Sequence, residues 1–463
     1  MITQDYIEKI KSQSAITADE FILKQLIEEH DTRNMEEGVR YYKNDSDIKR
    51  RKIYYFKDGQ KVEDTEATNN RVPHNWHKIL VDQKTSYLLG KPAVLSAESE
   101  QFTQKINEYL DEDWDDIIQE IAKESSNKGV EHLHPYIGED RNFKYVQIPG
   151  EQGMPIYDTD FQQEMVGFIR YYPMWVNGRE RIRAEWWDKE QVTYYKQGEG
   201  STFVIDDTEE ENPSPHFKVN NQGYGWGKVP FIEFKNNEEK MSDLEFYKDL
   251  IDIYDLVNSD MSNDLTDIQK ILYVLKGYDG TDLEEFTNNL RYYKAIKTDE
   301  EGGVDLKQAD IPVEAINAFL DRTEENIFLF GQGVNVKTDK FGNSPSGIAL
   351  KFLFHLLDLK ANTMARKFNR AIKKFIWFLA SYIQIIGEGN FIDEKVTVTY
   401  TKSMMMNELE QTQIAQASKG IISDKTIISN HPWVEDEQKE VEQMEEEQTV
   451  ELPEVGEEDE PTE

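Results

Sequence analysis

The chain has 463 residues, 38% of them hydrophobic and 11% aromatic, which is enough for about two to four structural units with buried cores. Its formal net charge of −37 excludes a protein that binds nucleic acid over its whole surface, because such binding needs basic side chains that neutralise phosphates. The absence of cysteine excludes disulfides, thiol nucleophiles and cysteine-ligated metals.

The N-terminal part of the chain is predicted to be helical. Residues 1–37 are polar apart from a few apolar side chains at helical spacing, among them Ile22, Leu23, Leu26 and Ile27. No apolar h-region precedes them, which argues against secretion. A strand over Ile53–Lys57 then leads into the turn Asp58-Gly59, a hairpin signal. A helix over 75–90 follows and stops at Gly90.

The middle of the chain changes from helical to strand-rich. Residues 101–128 are acidic and are predicted to form a helix. From 142 to 235, short runs of β-branched and aromatic residues alternate with clusters of Gly, Pro and Asn, which predicts a strand-rich unit. Its predicted strands are Tyr145–Ile148, Val166–Tyr172, Arg181–Trp187, Val192–Tyr195, Phe203–Ile205 and Phe231–Phe234.

Two predicted helices bracket a small mixed unit. Residues 241–268 and 313–330 have the apolar spacing of helices, and residues 271–312 lie between them. The mixed unit combines predicted strands at Ile271–Leu275, Tyr292–Ile296 and Val304–Leu306 with a helix near 282–290. A helix pair with a compact insertion at its far end suggests a stalk with a tip. An ordinary two-helix packing element with a decorated loop fits the same pattern.

A long amphipathic helix is the most informative element. It is predicted over 347–386, after a loop at 331–346. At about 100° per residue, one broad face is apolar: Leu357, Ala361, Met364, Phe368, Ile372, Phe375, Ile376, Leu379 and Ile383. The opposite side is basic: Lys360, Arg366, Lys367, Arg370, Lys373 and Lys374. This basic side fits pairing with acidic segments of the same or neighbouring chains, and it equally fits a cationic band that faces phosphates. In a ring both hold, because one helix per subunit repeats the face around the axis.

The C-terminal part is mixed and then acidic. The most apolar stretch, Phe375–Ile386, is too short to span a bilayer. A strand at Val396–Tyr400 and further helices follow. From Glu435 to Glu463 the chain holds 15 acidic residues and one lysine, which predicts a solvated tail with a helical start and a disordered end.

Three local patterns invite a chemical function, and each has a plainer interpretation. The loop Gly331–Thr338 is similar to a nucleotide-binding Walker A loop but has Val336 where glycine is needed to wrap phosphate, so nucleotide binding is not predicted. His132 and His134 alternate along a strand without a third ligand at suitable spacing, so no metal is predicted. The carboxylates of Asp111–Asp116 could hold Mg²⁺ in a nuclease, although a solvated helix face is the simpler interpretation.

The order of segments from about residue 35 to 445 resembles the portal proteins of tailed bacteriophages of the SPP1 type. Each motif alone is weak, but the ordered set is specific. The motifs are Arg40-Tyr41-Tyr42 with Arg50-Arg51, Asn69–Asn75 (NNRVPHN), Ile79–Pro92 (ILVDQKTSYLLGKP), Val229–Phe234 (VPFIEF) with Asn236-Asn237, Asp243–Glu245 and Leu250–Asp255, Ser259-Asp260, Ile271–Tyr278 (ILYVLKGY), Ser346–Lys351 (SGIALK), Leu357–Ala361 (LDLKA) and Gly420–Ser423 (GIIS).

The resemblance implies an α+β, multi-domain portal fold in a closed ring of commonly about twelve subunits. Its parts, as the resemblance implies them, are a wing over 1–240 that contains the strand-rich unit 142–235, a first stem helix over 241–270, a clip over 271–312, a second stem helix over 313–334, a tunnel loop over 335–346, the long amphipathic helix over 347–386, a crown with the remaining wing over 387–440 and an acidic tail over 441–463.

The resemblance also implies a function and a set of site residues. The ring would sit at one capsid vertex of the virion, after assembly in the bacterial cytoplasm, as the channel through which double-stranded DNA is packaged and ejected. Its implied partners are DNA bound without sequence specificity, terminase, scaffold and major capsid proteins, and head-completion or tail proteins; it would also help to nucleate the procapsid. The family has no catalytic site, so neither enzyme activity nor a cofactor or metal is expected, nor any membrane. The DNA-facing residues would be Asn335, Lys337, Lys340 and Asn343, and the clip residues facing terminase Lys276, Tyr278, Arg291 and Lys294.

Two other functions remain open on the residues alone. An acidic assembly adaptor or scaffold without a channel would share the composition but would not need two helices that bracket a tip. A nuclease that uses Asp111–Asp116 with Mg²⁺ would lose activity when those carboxylates are replaced.

Overall fold

The computed structural model describes most of the chain, namely residues 2–13, 19–161, 163–176, 178–198, 202–267, 272–276, 303–307, 312–335, 337, 347–403, 408–429, 431, 434, 440, 441, 443 and 444. These residues form a mixture of helices and sheets, so the predicted α+β class is confirmed. The chain divides into two units. The first comprises Met1–Asn335 and Leu359–Lys402, and the second comprises Val336–Asp358 and Ser403–Glu463.

The helices occur at both ends of the chain and around its centre. In chain order they are α1 Gln4–Gln13, α2 Asp19–Glu29, α3 Arg33–Tyr42, α4 Trp76–Leu89, α5 Glu100–Tyr109, α6 Glu112–Lys128, α7 Lys248–Asp267, α8 Val313–Phe330, α9 Gly347–Ile385, α10 Glu408–Ser418 and α11 Asp424–Ser429. A short 3-10 turn, Asp243–Phe246, comes just before α7.

The strands form one large sheet and several small ones. They are β1 Ile2–Thr3, β2 Tyr54–Lys57, β3 Gln60–Glu63, β4 Val94–Ala97, β5 Val130–Ile137, β6 Phe143–Ile148, β7 Gly153–Tyr157, β8 Met165–Val176, β9 Arg179–Trp187, β10 Gln191–Gln197, β11 Phe203–Ile205, β12 Ser214–Pro215, β13 Phe217–Val219, β14 Gln222–Tyr224, β15 Ile232–Lys235, β16 Leu272–Lys276, β17 Gly303–Lys307 and β18 Val396–Thr399. The large sheet has the order β1-β7-β8-β9-β10-β11, with β12 also paired to β10; the smaller sheets are β15-β5-β6, β13-β14, β16-β17, β18-β4 and β2-β3.

The large sheet is covered on one face by the N-terminal helices. Ile22, Leu23 and Leu26 of α2 are buried, as the apolar spacing of this segment predicts. They pack with alternate residues of the sheet because successive side chains of a strand point to opposite faces. The sheet residues in this core are Met154, Ile156, Ile169, Ala184, Tyr195 and Phe203.

From Leu359 onward, the long helix α9 supplies much of the core of the first unit. All nine apolar residues assigned to one face are buried, so this part of the prediction is confirmed. Phe375 is fully buried and stacks on Trp114 of α6, with 4.7 Å between the ring centroids. Tyr145 of β6 meets the same ring edge-on at 5.5 Å. Helix α9 therefore joins α6 to the sheet β15-β5-β6 through aromatic contacts.

Several element boundaries differ from the sequence predictions for local reasons. The single helix expected over 101–128 is two helices, because the side chain of Asp111 accepts a hydrogen bond from the backbone N–H of Asp113 and caps α6. The hairpin at Asp58-Gly59 and the helix ending at Gly90 are confirmed. The expected helix near 282–290 and strand at 292–296 lie outside the described residues.

Candidate functional site around the helix pair

Helices α7 and α8 pack against each other and form the predicted helix pair. Their shared core contains Ile251 of α7, Ile327 and Phe328 of α8, and Leu80 of α4. Between the two helices the chain forms the antiparallel strands β16 and β17, in which Leu272 pairs with Lys307 and Lys276 with Gly303. The predicted strand and its return strand are therefore confirmed. Lys276 lies at the end of β16, whereas Tyr278, Arg291 and Lys294 lie outside the described residues.

An extended segment, Thr68–His74, runs antiparallel along α7 and is bonded to it at alternate residues. Every fourth helix residue receives one bond, because four residues of a helix rise about 6 Å and two residues of an extended chain about 6.6 Å. The donors and acceptors are Thr68 Oγ1 to Asp267 Oδ1 (2.6 Å), Asn70 N to Asn263 Oδ1 (2.6 Å), Val72 N to Ser259 Oγ (3.0 Å) and His74 N to Asp255 Oδ1 (2.9 Å). The motif NNRVPHN thus attaches α7 to the rest of the unit.

Asp255 is the acceptor with the most partners among these. Its side chain is fully buried and also accepts hydrogen bonds from Ser46 Oγ (2.7 Å) and His74 Nδ1 (2.8 Å). Buried carboxylates are tolerated when each oxygen has donors of this kind. Asp255 therefore joins α7 to two separate stretches of the N-terminal region.

A buried ion cluster lies at the start of the helix pair. Lys84 of α4 donates to Asp243 Oδ2 at 2.6 Å and to Asn236 Oδ1 at 2.7 Å. Lys360 of α9 reaches the same Asp243 oxygen at 3.0 Å, and Asn236 donates to Asp243 Oδ1 at 2.9 Å. The side chains of Lys84 and Asp243 are only 1% and 2% exposed. Three distant parts of the chain, at Lys84, at Asn236 with Asp243, and at Lys360, thus meet at one carboxylate.

The electrostatics of this cluster keep Asp243 ionised. Burial alone would raise the pKa of Asp243, but the charges of Lys360 and Lys84 and the hydrogen bond from Asn236 hold this pKa well below its usual range. Burial lowers the pKa of Lys84 to about 8, against the opposing influence of Asp243. Beside them, burial lowers the pKa of His77 to about 3, and its Nδ1 lies 2.7 Å from the Tyr247 hydroxyl.

The chain leaves α8 through a tightly held turn. Asn335, the first residue of the predicted tunnel loop, is half-buried and donates to Glu324 Oε1 at 3.3 Å. Lys337 is exposed, and Lys340 and Asn343 lie outside the described residues. Gly331–Val334, which is similar to part of a Walker A loop, instead packs on α4, where a Cβ on Gly333 would meet Leu80 at 2.2 Å.

The basic residues of α9 divide into two groups. Lys360 forms the ion pair with Asp243, and Lys367 pairs with Glu238, which is largely exposed. The sequence predicts Lys360 on the side opposite the apolar face. Lys360 in fact lies only about 40° from Met364 around the helix, so it borders the apolar face. The other four are exposed and form no ion pair within the part of the chain that the structure describes: Arg366, Arg370, Lys373 and Lys374.

The remaining polar motifs lie within the fold. His132 and His134 of β5 are buried beside Phe168 and Phe231, and burial lowers both pKa values to about 3. Asp111 caps α6 at the start of the acidic run. Within the described ranges, no group of three or more His, Asp or Glu side chains is arranged to hold a metal ion. No helix in those same ranges is long and apolar enough to cross a membrane.

The buried pairing of Lys84 with Asp243 was not predicted from the sequence. The available signal was the spacing of Lys84, four residues after Leu80 and four before Leu88, which places it on the apolar face of the helix, where a lysine needs a buried partner. The partner is not local, because Asp243 lies 159 residues further along the chain.

Comparisons with known proteins agree with the segment order. The chain is 40% identical to the portal protein of Bacillus phage SPP1 over 434 residues, which cover 93% of this chain and 86% of that protein. It is 34% identical to the portal protein of Clostridium phage phiCD119 over 418 residues, 86% of this chain and 88% of that protein. A solved structure of the neck of a native GTA particle, computed with C12 symmetry, matches with a TM-score of 0.39 and 12% identity over 76% of this chain and 87% of that chain.

The family model described as phage portal protein, SPP1 Gp6-like, matches residues 23–453. This range includes the helix pair, the segment Thr68–His74 and the long helix, and it confirms the resemblance given by the ordered motifs. The chain therefore belongs to the SPP1 Gp6-like family of phage portal proteins.

Proposed function

We propose that copies of this chain form a closed ring of about twelve subunits around an axial channel for double-stranded DNA. The ring would stand at one capsid vertex and serve packaging and ejection. Membership of the portal family over residues 23–453 is the observation that carries this proposal. An α-helical pair attached along one side by Thr68–His74, with a separate strand pair between its helices, suits a stalk with a tip.

The parts of the ring follow from the segment order. Residues 1–240 would form the wing, 241–270 and 313–334 the stem, 271–312 the clip and 335–346 the tunnel loop. The long helix with residues 387–440 would form the inner and crown part, followed by the acidic tail from residue 441. Support for the stem comes from the observed bounds of α7 and α8, which lie within the expected ranges.

The partners follow from the same assignment. The clip would meet terminase, and later head-completion and tail proteins, through Lys276, Tyr278, Arg291 and Lys294. Scaffold and major capsid proteins would contact the outside of the ring while the procapsid assembles in the host cytoplasm. The chain itself would need neither a cofactor nor a catalytic site, since packaging is driven by terminase.

Two basic regions would face the DNA or a neighbouring subunit. The tunnel loop offers Lys337, which is exposed, and Lys340. Helix α9 offers Arg366, Arg370, Lys373 and Lys374, which are exposed in this chain. The net charge of the whole chain is −37, which would limit binding of DNA to the rest of the channel. DNA that must slide cannot be bound tightly by many phosphate contacts.

Replacing Lys337 and Lys340 together with alanine is expected to leave rings intact and to reduce DNA packaging or retention by about threefold or more, because each subunit loses two positive charges next to the DNA. DNA-filled particles are counted after complementation of a phage that lacks its own portal gene. The matched control is Lys189→Ala with Lys395→Ala, which removes the same charge at exposed positions elsewhere. Unchanged packaging and retention in the loop variant would refute the DNA-facing role.

An acidic adaptor without a channel is the alternative. It predicts that the purified chain forms no ring and that replacing Lys337 and Lys340 does not change DNA packaging or retention.

A further inference from the structure

The side chain of Gln83 holds the backbone of Val334 at two points. Its Oε1 accepts a hydrogen bond from the Val334 N–H at 2.9 Å, and its Nε2 donates to the Val334 carbonyl at 2.8 Å. The two residues are 251 positions apart in the chain. One amide therefore satisfies both polar backbone groups of the last residue before the 335–346 loop, and Val334 itself is buried.

The residues just before Val334 are fixed as well. Lys360 donates to the carbonyl of Gly331 at 2.9 Å. Gly333 lies so close to α4 that a Cβ would meet Leu80 at 2.2 Å and Gln83 Oε1 at 2.8 Å. Gln332 adopts a positive φ of 54°, which turns the chain sharply after α8. The turn is therefore determined at each residue from Gly331 to Val334.

Helix α4 places Gln83 correctly because three neighbouring positions on it have separate contacts. Leu80 packs in the core of the helix pair and against Gly333, Gln83 bonds Val334, and Lys84 bonds Asp243. Positions i, i+3 and i+4 share one face of a helix. The buried ion pair of Lys84 thus prevents α4 from rotating and keeps the Gln83 amide in register with Val334.

We propose that Gln83 is a positioning residue that fixes where the 335–346 loop leaves the body of the subunit. The role rests on the proposed function of that loop in facing DNA. Every subunit of a ring would then present its loop from the same starting point. Loss of the amide would free Val334, and the loops of one ring would no longer start from identical positions.

The structural part of the proposal is tested on the full-length assembled protein by hydrogen exchange. Gln83→Met keeps the size of the side chain and removes both hydrogen bonds. Exchange in peptides containing Val334 is expected to become about ten- to hundredfold faster, as loss of two hydrogen bonds predicts. Gln83→Asn, one methylene shorter, is the second variant if the methionine variant fails to assemble. If exchange at Val334 is unchanged in every Gln83 variant that assembles, the proposal is overturned.

Asn212 provides a matched control because it makes the same two-point contact elsewhere. Its Oδ1 accepts from the Tyr194 N–H at 3.0 Å, and its Nδ2 donates to the Tyr194 carbonyl at 2.8 Å. Asn212→Leu should accelerate exchange at Tyr194 and leave Val334 protected. A general loss of stability would instead accelerate both sites in either variant, and that result also counts against a positioning role.

The functional part is tested by DNA retention in particles, with the loop variant Lys337→Ala, Lys340→Ala beside it. Gln83→Met is expected to lower retention in the same direction as the loop variant, whereas Asn212→Leu leaves it unchanged. Faster exchange at Val334 without any change in retention, when the loop variant does change it, would overturn the role of Gln83 and leave the function of the loop intact. No effect from either variant would refute the loop function and with it this role.

Discussion

Replacing Asp243 with alanine is expected to lower the free energy of unfolding by about 3 to 5 kcal/mol, the usual cost of leaving a buried charge without its partner. Lys84 would remain with its side chain 1% exposed and no negative charge in contact. Lys360, whose side chain is 11% exposed, would keep its hydrogen bond to the Gly331 carbonyl but lose its negatively charged partner. Asp243→Asn keeps the shape and some hydrogen bonds, so it should cost less than alanine.

The measurement is the shift of the unfolding midpoint in guanidinium chloride and on heating. Glu63→Ala is the control, because it breaks an exposed pair with Lys52 (2.8 Å), and solvent screening leaves such a pair with little effect on stability. The folded pKa of Asp243 is below its unfolded value, so its stabilisation is full above about pH 4 and is lost as the pH falls through the folded pKa. A loss no larger than that of the control at pH 7 would contradict the cluster's role.

Replacing Asp255 with alanine is expected to lower the free energy of unfolding by about 4 to 5 kcal/mol, the lower end of the cost of losing three hydrogen bonds to a charged group, and to release Thr68–His74 from α7. The backbone N–H and the ring Nδ1 of His74 would both lose a charged acceptor, and so would the buried hydroxyl of Ser46. Hydrogen bonds to charged groups contribute about 1.5 to 3 kcal/mol each, and unsatisfied buried donors add to the loss. Because this segment attaches α7 to the rest of the first unit, the helix pair should become less firmly held.

Hydrogen exchange across residues 68–75 checks this result, together with the thermal midpoint. Asp264→Ala is the matched control, since Asp264 lies on the same helix and is exposed. The control should change the free energy of unfolding by less than about 0.5 kcal/mol. Equal protection of residues 68–75 in Asp255→Ala and the control would show that the bonded segment does not depend on this carboxylate.

Periodicity predicted the elements whose packing is simple. The nine apolar residues of α9 repeat at helical spacing and are all buried, because a regular apolar face has only one way to leave water. Four strands of the large sheet, β8 to β11, were predicted from their β-branched and aromatic residues, β11 with its exact bounds and the other three a few residues too short. Strands β1, β7 and β12 of the same sheet were not predicted. The break between α5 and α6 was missed because a single cap, Asp111, decides it, and the helical spacing continues on both sides.

The candidate site was predictable only in part, because its contacts join distant parts of the chain. Pairing of the basic side of α9 with acidic segments of the same chain was one of the two interpretations of the sequence, and Lys360 and Lys367 confirm it for these two residues. Which acidic residues they pair with could not be predicted, because Asp243 and Glu238 lie more than 100 residues away in the chain. The two hydrogen bonds between the Gln83 amide and the Val334 backbone could not be predicted from the local sequence, since glutamine fits an exposed helix position equally well. The motif NNRVPHN was visible as a family feature, but its backbone bonds to every fourth residue of α7 required the structure.

Assembly of this chain into a portal ring can be observed by single-particle electron microscopy of the purified protein, with native mass spectrometry of the same sample. We expect closed rings of about twelve subunits with an axial channel. A compact dimer without a channel, at concentrations where the protein is fully folded, would contradict this expectation and favour the adaptor.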